Sequence, residues 1–150
     1  MDLVDAIRAA LAEPGNRVEK AQRFAQAIRR LGDFRWVGIY DVGEEWVAIL
    51  AWSGPGEPAY PRFPISQGLT GAAIGARKTV VAGDVLNDPR YLTAFGSTRS
   101  EIIIPVSDEA TGAVVGTIDV ESEEVNAFSR RDQDWLEACA RLGAPLWQGE

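Results

Sequence analysis

Apolar residues near the start of the chain recur every three to four positions, which is the spacing of an amphipathic helix. One such run covers residues 3–11 and a second covers residues 18–31, with Pro14-Gly15-Asn16 as a breaker between them. Gly32 follows the second run, and glycine commonly ends a helix at such a position. The pattern predicts two N-terminal helices within residues 1–31, joined by a short turn.

The middle of the chain changes to short β-branched and aromatic runs, which are typical of strands. Two pairs of these runs are separated by short turn segments, so each pair predicts an antiparallel hairpin. The first pair is Trp36–Tyr40 with Trp46–Trp52, and the second is Glu101–Val106 with Gly112–Val120. Strand alternation places Trp46 and Trp52 on the same face.

The segments around these hairpins are predicted to complete the sheet and cover it. Residues 53–64 contain four prolines and two glycines, which predicts a surface loop ending in a short edge strand. Small residues favour a short helix from about Thr70, and residues 79–82 favour another strand. Ser129 is a good N-cap for a final amphipathic helix that runs to about Leu146.

Helices, then hairpins, then a closing helix predict an α+β fold with one mixed or antiparallel sheet. A chain of 150 residues fits a single domain spanning residues 1–150. We expect N-terminal helices in residues 1–31, the sheet and a pocket in residues 34–122, and the C-terminal helix in residues 129–147.

Composition and net charge limit the classes of partner that the chain is expected to bind. No segment has the roughly 18 uninterrupted apolar residues of a membrane span, so no membrane partner is expected. Acidic Asp2 and Asp5 stand where a signal peptide would be basic, which predicts a cytoplasmic location. A net charge of −7 opposes binding to phosphate backbones, so no nucleic acid partner is expected.

The chain has one cysteine, Cys139, and no histidine. An internal disulfide, a metal site built from His and Cys, and Ser-His or Cys-His nucleophile pairs are therefore excluded. We expect no cofactor and no thiol, histidine or metal catalysis.

Several motifs now stand in one order. They are Trp36-Val37-Gly38-Ile39-Tyr40, Gly68-Leu69-Thr70-Gly71, Arg99 through Pro105, Gly112 through Ser122, and Ala127-Phe128-Ser129. Over nearly the whole chain they resemble the GAF domain family, and within it the free methionine-R-sulfoxide reductases, whose typical motifs are W-x-G-F-Y, G-x-G-V-C-G, S-E-I-V-x-P and G-V-L-D-I-D-S. The resemblance implies a GAF/PAS-like fold. In it, a central, mostly antiparallel sheet of about five to six strands has the terminal helices on one face and a loop-rich pocket on the other.

Reductase chemistry is not expected here despite the resemblance. In those enzymes a thiolate attacks the sulfoxide sulfur and a second thiol resolves the product. The family's three cysteines fall on Tyr60, Thr70 and Ala94, at intervals of ten and twenty-four residues that match the family's spacing. Cys139 lies on the apolar face of the last predicted helix and is interpreted as a buried structural residue.

The ligand-binding side of the family is matched better. In the reductases a tryptophan and several carboxylates hold a free amino acid, which implies a pocket with a preference for cations here. The matching residues are Trp36, Glu101, Asp119 and Glu121, the last in place of the usual aspartate. The other predicted ligand-binding residues are Tyr40, Tyr60 and Thr70.

Strand alternation agrees with a shared site, because Asp119 and Glu121 are two residues apart and point to one face. Clustered carboxylates beside aromatic residues raise each other's pKa unless an ammonium group or an arginine compensates. The alternative is that both face solvent and that Glu101 pairs with Arg99 or Arg90 at the surface. Trp36 and Tyr40 would then be ordinary core residues.

The resemblance, together with the missing cysteines, favours a non-catalytic sensory GAF domain that binds an amino acid or a related small metabolite. Such a domain would signal through a homodimer or a separate signalling protein. One alternative is an interaction module with a vestigial pocket, in which the terminal helices mediate homodimerisation. Another is an enzyme that uses Asp119 and Glu101 as general acid and base.

Overall fold

The described part of the chain alternates between helices and the strands of one sheet. The computed structural model describes residues 2–91 and 96–148. The helices are α1 Leu3–Ala12, α2 Arg17–Gly32, α3 Gly68–Ala76 and α4 Arg130–Gly143. The strands are β1 Trp36–Val42, β2 Trp46–Ser53, β3 Arg62–Pro64, β4 Val80–Ala82, β5 Ser100–Ser107 and β6 Val114–Ser122. Short 3₁₀ helices cover Val85–Asn87 and Ala144–Trp147.

The strands form one sheet in the order β3-β2-β1-β6-β5-β4, and all neighbours are antiparallel. Both predicted hairpins are confirmed, and so is the short edge strand after the proline-rich loop. The long strands β1, β6 and β5 lie in the middle, so their side chains are covered on both faces. The predicted α+β fold with a central antiparallel sheet of about five to six strands is confirmed.

The N- and C-terminal helices lie on one face of the sheet, as predicted: α2 and α4 cover the strands, and α1 packs on these two helices. Phe24 and Ile28 of α2 and Leu136 of α4 are fully buried against apolar side chains of β1, β5 and β6. The starts of both longer helices are fixed by capping boxes, in which Asn16 pairs with Glu19 and Ser129 pairs with Asp132. Apolar periodicity and caps therefore agree on where these helices begin.

The C-terminal helix is shorter than the predicted span to about Leu146. It ends at Gly143, and the chain continues as the 3₁₀ helix Ala144–Trp147. Pro145 explains the early end, because proline has no N–H to donate and its ring clashes with the preceding helical turn. The 3₁₀ helix brings Trp147 against the sheet, where its indole Nε1 donates to the Tyr40 carbonyl oxygen at 3.1 Å.

The prediction that Trp46 and Trp52 share a face is wrong. The pairing of β1 with β2 shifts between Ile39 and Tyr40, so that Leu50 has no direct partner on β1. This bulge changes the alternation along β2. Trp52 packs on the face that carries Tyr40, whereas Trp46 lies on the other face and is partly exposed beneath the Arg62 guanidinium.

The second face of the sheet is covered by α3 and by the segments around it. Leu69 and Ala73 of α3 pack on Ile103 and Ala82 of the sheet. The small-residue helix was predicted from about Thr70 and begins two residues earlier. Within residues 2–91 and 96–148, no helix has both the length and the apolar character needed to cross a membrane.

Candidate functional site

Three carboxylates converge on the α3 face of the central strands. Asp119 and Glu121 alternate with buried apolar residues along β6, so both side chains point to the same face. Glu101 of β5 lies directly opposite Glu121, and Trp36 of β1 flanks Glu121 on its other side. The register of these strands thus places two like charges side by side, which destabilises a sheet unless protons or a ligand compensate.

All three carboxylates are buried. Glu101 is 7% exposed, Asp119 is 3% exposed and Glu121 is 4% exposed. The alternative of solvent-facing carboxylates is therefore wrong. Glu101 does not pair with a surface arginine either, because Arg90 pairs with Asp88 and Arg99 with Asp84.

Two threonine hydroxyls bind these carboxylates. Thr70, in the first turn of α3, donates to Asp119 Oδ2 at 2.8 Å. Thr98, just before β5, donates to Glu121 Oε1 at 2.7 Å. The second oxygen of Asp119, Oδ1, is buried and receives no hydrogen bond from the described residues. A buried acceptor without a donor costs about 1–3 kcal/mol, which makes this oxygen a place where a ligand donor would stabilise the protein.

Burial keeps protons on this cluster at neutral pH. Burial raises the pKa of Asp119 to about 7. The Thr117 and Thr70 hydroxyls lower that pKa, although only Thr70 makes a hydrogen bond of normal geometry. Burial likewise raises the pKa of Glu121 to about 7 against the Thr98 hydrogen bond.

Glu101 and Tyr40 are affected in the same direction. Burial, followed by the charges of Glu121 and Asp119, raises the pKa of Glu101 well above its ordinary value. Burial and the three carboxylates also raise the pKa of the Tyr40 hydroxyl. The Tyr40 hydroxyl thus stays protonated at any physiological pH and is able to donate a hydrogen bond.

These side chains surround a cavity of about 30 Å³ between β5, β6, α3 and the loop before β3. We call it the carboxylate cavity. Among the described residues, its lining contains no lysine or arginine. The lining residues are Tyr40, Pro58, Tyr60, Phe63, Gly68, Leu69, Thr70, Glu101, Asp119 and Glu121.

Six of the seven predicted ligand-binding residues line this cavity. Trp36 does not: it is buried beside Glu121 and lines a separate small cavity that shares Glu121 with the first. Its indole Nε1 donates to the Gly56 carbonyl oxygen at 3.2 Å, which ties the proline-rich loop to β1. Trp36 therefore holds the covering loop in place and does not line the carboxylate cavity.

Sequence reasoning missed several residues of the site. Phe63 meets Tyr40 edge to face with ring centroids 5.9 Å apart, and it lies on the three-residue strand β3. Thr117 had a usable signal, since it precedes Asp119 by two residues and so shares its face. Thr98 had none, because its contact with Glu121 depends on how the chain enters β5.

The structure describes two of the three positions at which the resembling reductases carry cysteines. Tyr60 and Thr70 both line the carboxylate cavity, whereas Ala94 lies outside the described residues. Cys139 is buried in the helix-covered core on the opposite side of the sheet, where burial raises the pKa of its thiol to about 12. A thiolate is therefore not available at Cys139 near neutral pH.

The carboxylates are not arranged as a metal centre. Within the described ranges, no three Asp, Glu or Cys side chains are placed so that they could hold a metal ion together. The cavity lining combines carboxylate and hydroxyl groups with aromatic rings.

Comparison with known proteins agrees with this fold. A family model described as GAF domain matches residues 18–147. The chain is 28% identical to GAF domain-containing protein A of Dictyostelium discoideum, over 94% of this chain and 87% of that protein. It is 31% identical to the free methionine-R-sulfoxide reductase of Saccharomyces cerevisiae, over 73% of this chain and 61% of the yeast protein. The structure of the type II free methionine-R-sulfoxide reductase from Thermoplasma acidophilum superposes with a TM-score of 0.81 at 29% identity, over 98% of this chain and 96% of that one.

Proposed function

The chain belongs to the GAF domain family, and from that premise we propose that it is a non-catalytic domain that binds a small metabolite carrying an ammonium group. A free amino acid or a close relative is the expected class. The observation that carries the proposal is Asp119 Oδ1, a buried acceptor without a described donor in a cavity lined by three carboxylates. A ligand ammonium supplies both the missing donor and the compensating charge.

The aromatic residues of the cavity fit the same ligand class. Tyr40, Tyr60 and Phe63 line it alongside the carboxylates. A cation beside aromatic faces gains about 0.5–2 kcal/mol, depending on how far it is desolvated. An anionic ligand such as a cyclic nucleotide would instead meet three carboxylates and no described cationic side chain.

The ligand has to open the cavity to enter it. A volume of about 30 Å³ has room for only a water molecule or two. The two covering parts are the loop that carries Pro58 and Tyr60 and the first turn of α3. We propose that both move outward when the ligand binds, which breaks the hydrogen bond from Thr70 to Asp119.

We expect no reductase activity, although the yeast and Thermoplasma proteins are named as reductases. Tyr60 and Thr70 stand at two of the cysteine positions and have no thiol to attack a sulfoxide. Purified protein supplied with methionine sulfoxide and a thioredoxin system, or with dithiothreitol, should give no methionine. Measurable turnover would contradict the proposal.

The binding test is a thermal-shift screen with matched ligand pairs. Free amino acids and methionine sulfoxide are compared with their N-acetyl forms, which keep the shape but lose the positive charge, and with cyclic nucleotides. A ligand at 100 times its Kd stabilises the fold by about 2.7 kcal/mol. We expect one ammonium compound to raise the melting temperature and its N-acetyl form to have no effect.

The matched protein pair is Asp119→Asn and Asp134→Asn. Both remove one ionisable carboxyl group, but Asp134 lies at the surface of α4. The ligand shift should disappear in Asp119→Asn and persist in Asp134→Asn. A shift that survives in both variants would place the ligand elsewhere on the chain.

The small volume of the cavity favours a second candidate, an interaction module with a vestigial pocket. Such a module would show no change in melting temperature with any compound in the screen, and it would bind a protein partner. Homodimerisation, a separate signalling partner and a cytoplasmic location stay predictions from the sequence under either candidate.

A further inference from the structure

A second and much larger cavity lies on the helix-covered side of the molecule, away from the three carboxylates. Its volume is about 580 Å³, within the roughly 300–1,000 Å³ typical of small-molecule sites. The end of α1, the beginning of α2, and the end of α4 with the following 3₁₀ helix form its walls. We call it the helix-side cavity.

The charge of this cavity is opposite to that of the molecule. Arg8, Arg17 and Lys20 line it, and no Asp or Glu does so among the described residues. Arg17 is neutralised, because its guanidinium pairs with Asp41 through both terminal nitrogens while its Nε donates to the Leu146 carbonyl oxygen. Arg8 and Lys20 form no salt bridge within the described ranges. Two uncompensated cations thus face one cavity of a chain whose net charge is −7.

The remaining wall of the helix-side cavity is apolar. Leu146 is buried, whereas Leu11 and Leu142 are half-buried at its surface and still have apolar area to cover. Ala12 and Pro145 extend this wall. A ligand that fits both halves has an anionic group next to an apolar body.

We propose that the helix-side cavity binds an amphipathic organic anion, namely a soluble carboxylate with an aliphatic or aromatic body. Arg8 and Lys20 attract the carboxylate, and Leu11, Leu142 and Leu146 cover the body. Burying the apolar part contributes about 25 cal/mol per Å², and the charges select an anion over a neutral compound of the same shape. This proposal does not depend on the ligand of the carboxylate cavity.

The test uses octanoate as the probe and octanamide as its uncharged match, with binding measured by calorimetry on the full chain. We expect octanoate to bind, and octanamide to bind about tenfold more weakly, because two partly exposed charge pairs together supply about 1–2 kcal/mol. The double variant Arg8→Gln/Lys20→Gln should weaken octanoate by about the same factor. The control Arg30→Gln/Arg131→Gln removes two exposed cations outside the cavity and should leave octanoate binding unchanged.

Three outcomes would overturn the proposal. Equal binding of octanoate and octanamide would mean that Arg8 and Lys20 do not favour a charged carboxylate over a neutral amide. Equal loss in both double variants would mean that only net charge matters. A dimer that dissociates in the Arg8/Lys20 variant, together with no octanoate binding, would mean that a second copy occupies the cavity. Asp119→Asn should keep octanoate binding, which separates this proposal from the function of the carboxylate cavity.

Discussion

Asp119 shows how a single buried residue couples folding, protonation and ligand binding. Its pKa is raised to about 7 by burial, while in the unfolded chain it returns to an ordinary value of about 4. Between these values the folded state holds a proton that the unfolded state has released. The contribution of Asp119 to stability is therefore fully present below pH 4 and is lost as the pH rises through about 7.

The first prediction follows from this sign. Asp119→Asn keeps the side-chain shape but cannot ionise, so its free energy of unfolding should increase relative to wild type as the pH rises. The increase is at most about 1.4 kcal/mol per pH unit and stops above the folded-state pKa. Urea unfolding of both proteins at pH 5, 6, 7 and 8 measures it. Asp134→Asn serves as the control and should keep a constant difference from wild type. A constant difference for Asp119→Asn as well would show that Asp119 titrates normally.

The second prediction concerns the hydroxyl that binds Asp119. Thr70 donates to Oδ2 from the first turn of α3, and this hydrogen bond lowers the pKa of Asp119 against the effect of burial. Thr70→Val should raise that pKa further, weaken a cationic ligand at pH 7, and cost about 1–3 kcal/mol by leaving a second unpaired acceptor.

Thr70→Ser is the matched control, because it keeps the hydroxyl and loses only a methyl group. Ligand titrations at pH 7 and pH 8.5 distinguish the two variants. The valine variant should regain part of its affinity at the higher pH, where Asp119 ionises without the hydrogen bond. If the Thr70→Val and Thr70→Ser variants bound the ligand with equal affinity, the Thr70 hydroxyl would have no role in binding.

At the level of elements, the local pattern of apolar residues and caps predicted the positions of helices and strands, because short-range interactions determine them. Apolar periodicity located α2, the same periodicity with the cap at Ser129 located α4, and β-branched runs located β1, β2, β5 and β6. The two-residue alternation of side chains along a strand correctly placed Asp119 and Glu121 on one face. It failed at Leu50, because a bulge is a property of the pairing between two strands and leaves no signal in either strand alone.

The position of Glu101 opposite Glu121 is also a result of pairing. The register of β5 against β6 fixes it, and that register depends on the packing of both faces and on the turn between the strands. Strand alternation alone grouped Asp119 with Glu121 but did not connect Glu101 to them. Their grouping into one site came from the family resemblance, and the size of the cavity came only with the packing of α3.

The third prediction tests how tightly β1 is packed on the site face. Gly38 lies between Trp36 and Tyr40, and an added Cβ would lie 2.5 Å from the Trp36 ring and 2.8 Å from the Tyr40 ring. Gly38→Ala should therefore displace both rings and lower the free energy of unfolding by about 1–3 kcal/mol. Because Tyr40 lines the carboxylate cavity, ligand binding should weaken as well.

The control for this variant is Gly75→Ala in α3, where an added Cβ meets no atom within 4 Å. The same chemical change there should raise stability by about 0.4–1 kcal/mol, because alanine favours a helix. Urea unfolding and ligand titration of both variants make the comparison. An unchanged Gly38→Ala protein would mean that the two rings are free to move apart.

Considered as a whole, the molecule separates its two cavities by the sheet. The carboxylate cavity lies beneath α3, and the helix-side cavity lies among α1, α2 and the C-terminal turn. The sequence did not predict the second cavity, because its walls come from both ends of the chain and no local pattern joins them. One direct connection crosses the sheet: Tyr40 lines the first cavity, and its carbonyl oxygen accepts from Trp147 beside the second.

The last prediction is that a ligand in the carboxylate cavity affects both sides of the molecule. Hydrogen–deuterium exchange should slow in residues 57–61 and 68–73, which cover the ligand, and also in residues 144–147. The second effect is expected because a ligand that fixes Tyr40 also fixes the carbonyl group to which Trp147 donates. The central strands exchange only through larger opening and should change little.

Trp147→Phe keeps an aromatic ring against Gly116 but removes the indole N–H. In this variant, ligand-induced protection should persist over residues 57–61 and 68–73 and disappear from residues 144–147. Protection confined to the covering segments in wild type would mean that the domain binds its ligand without altering its helical face. A sensor that acts through a partner needs that alteration, because a ligand shifts an equilibrium only through a difference between two states of the protein. The exchange pattern at Trp147 therefore decides between a binding domain that signals and one that only binds.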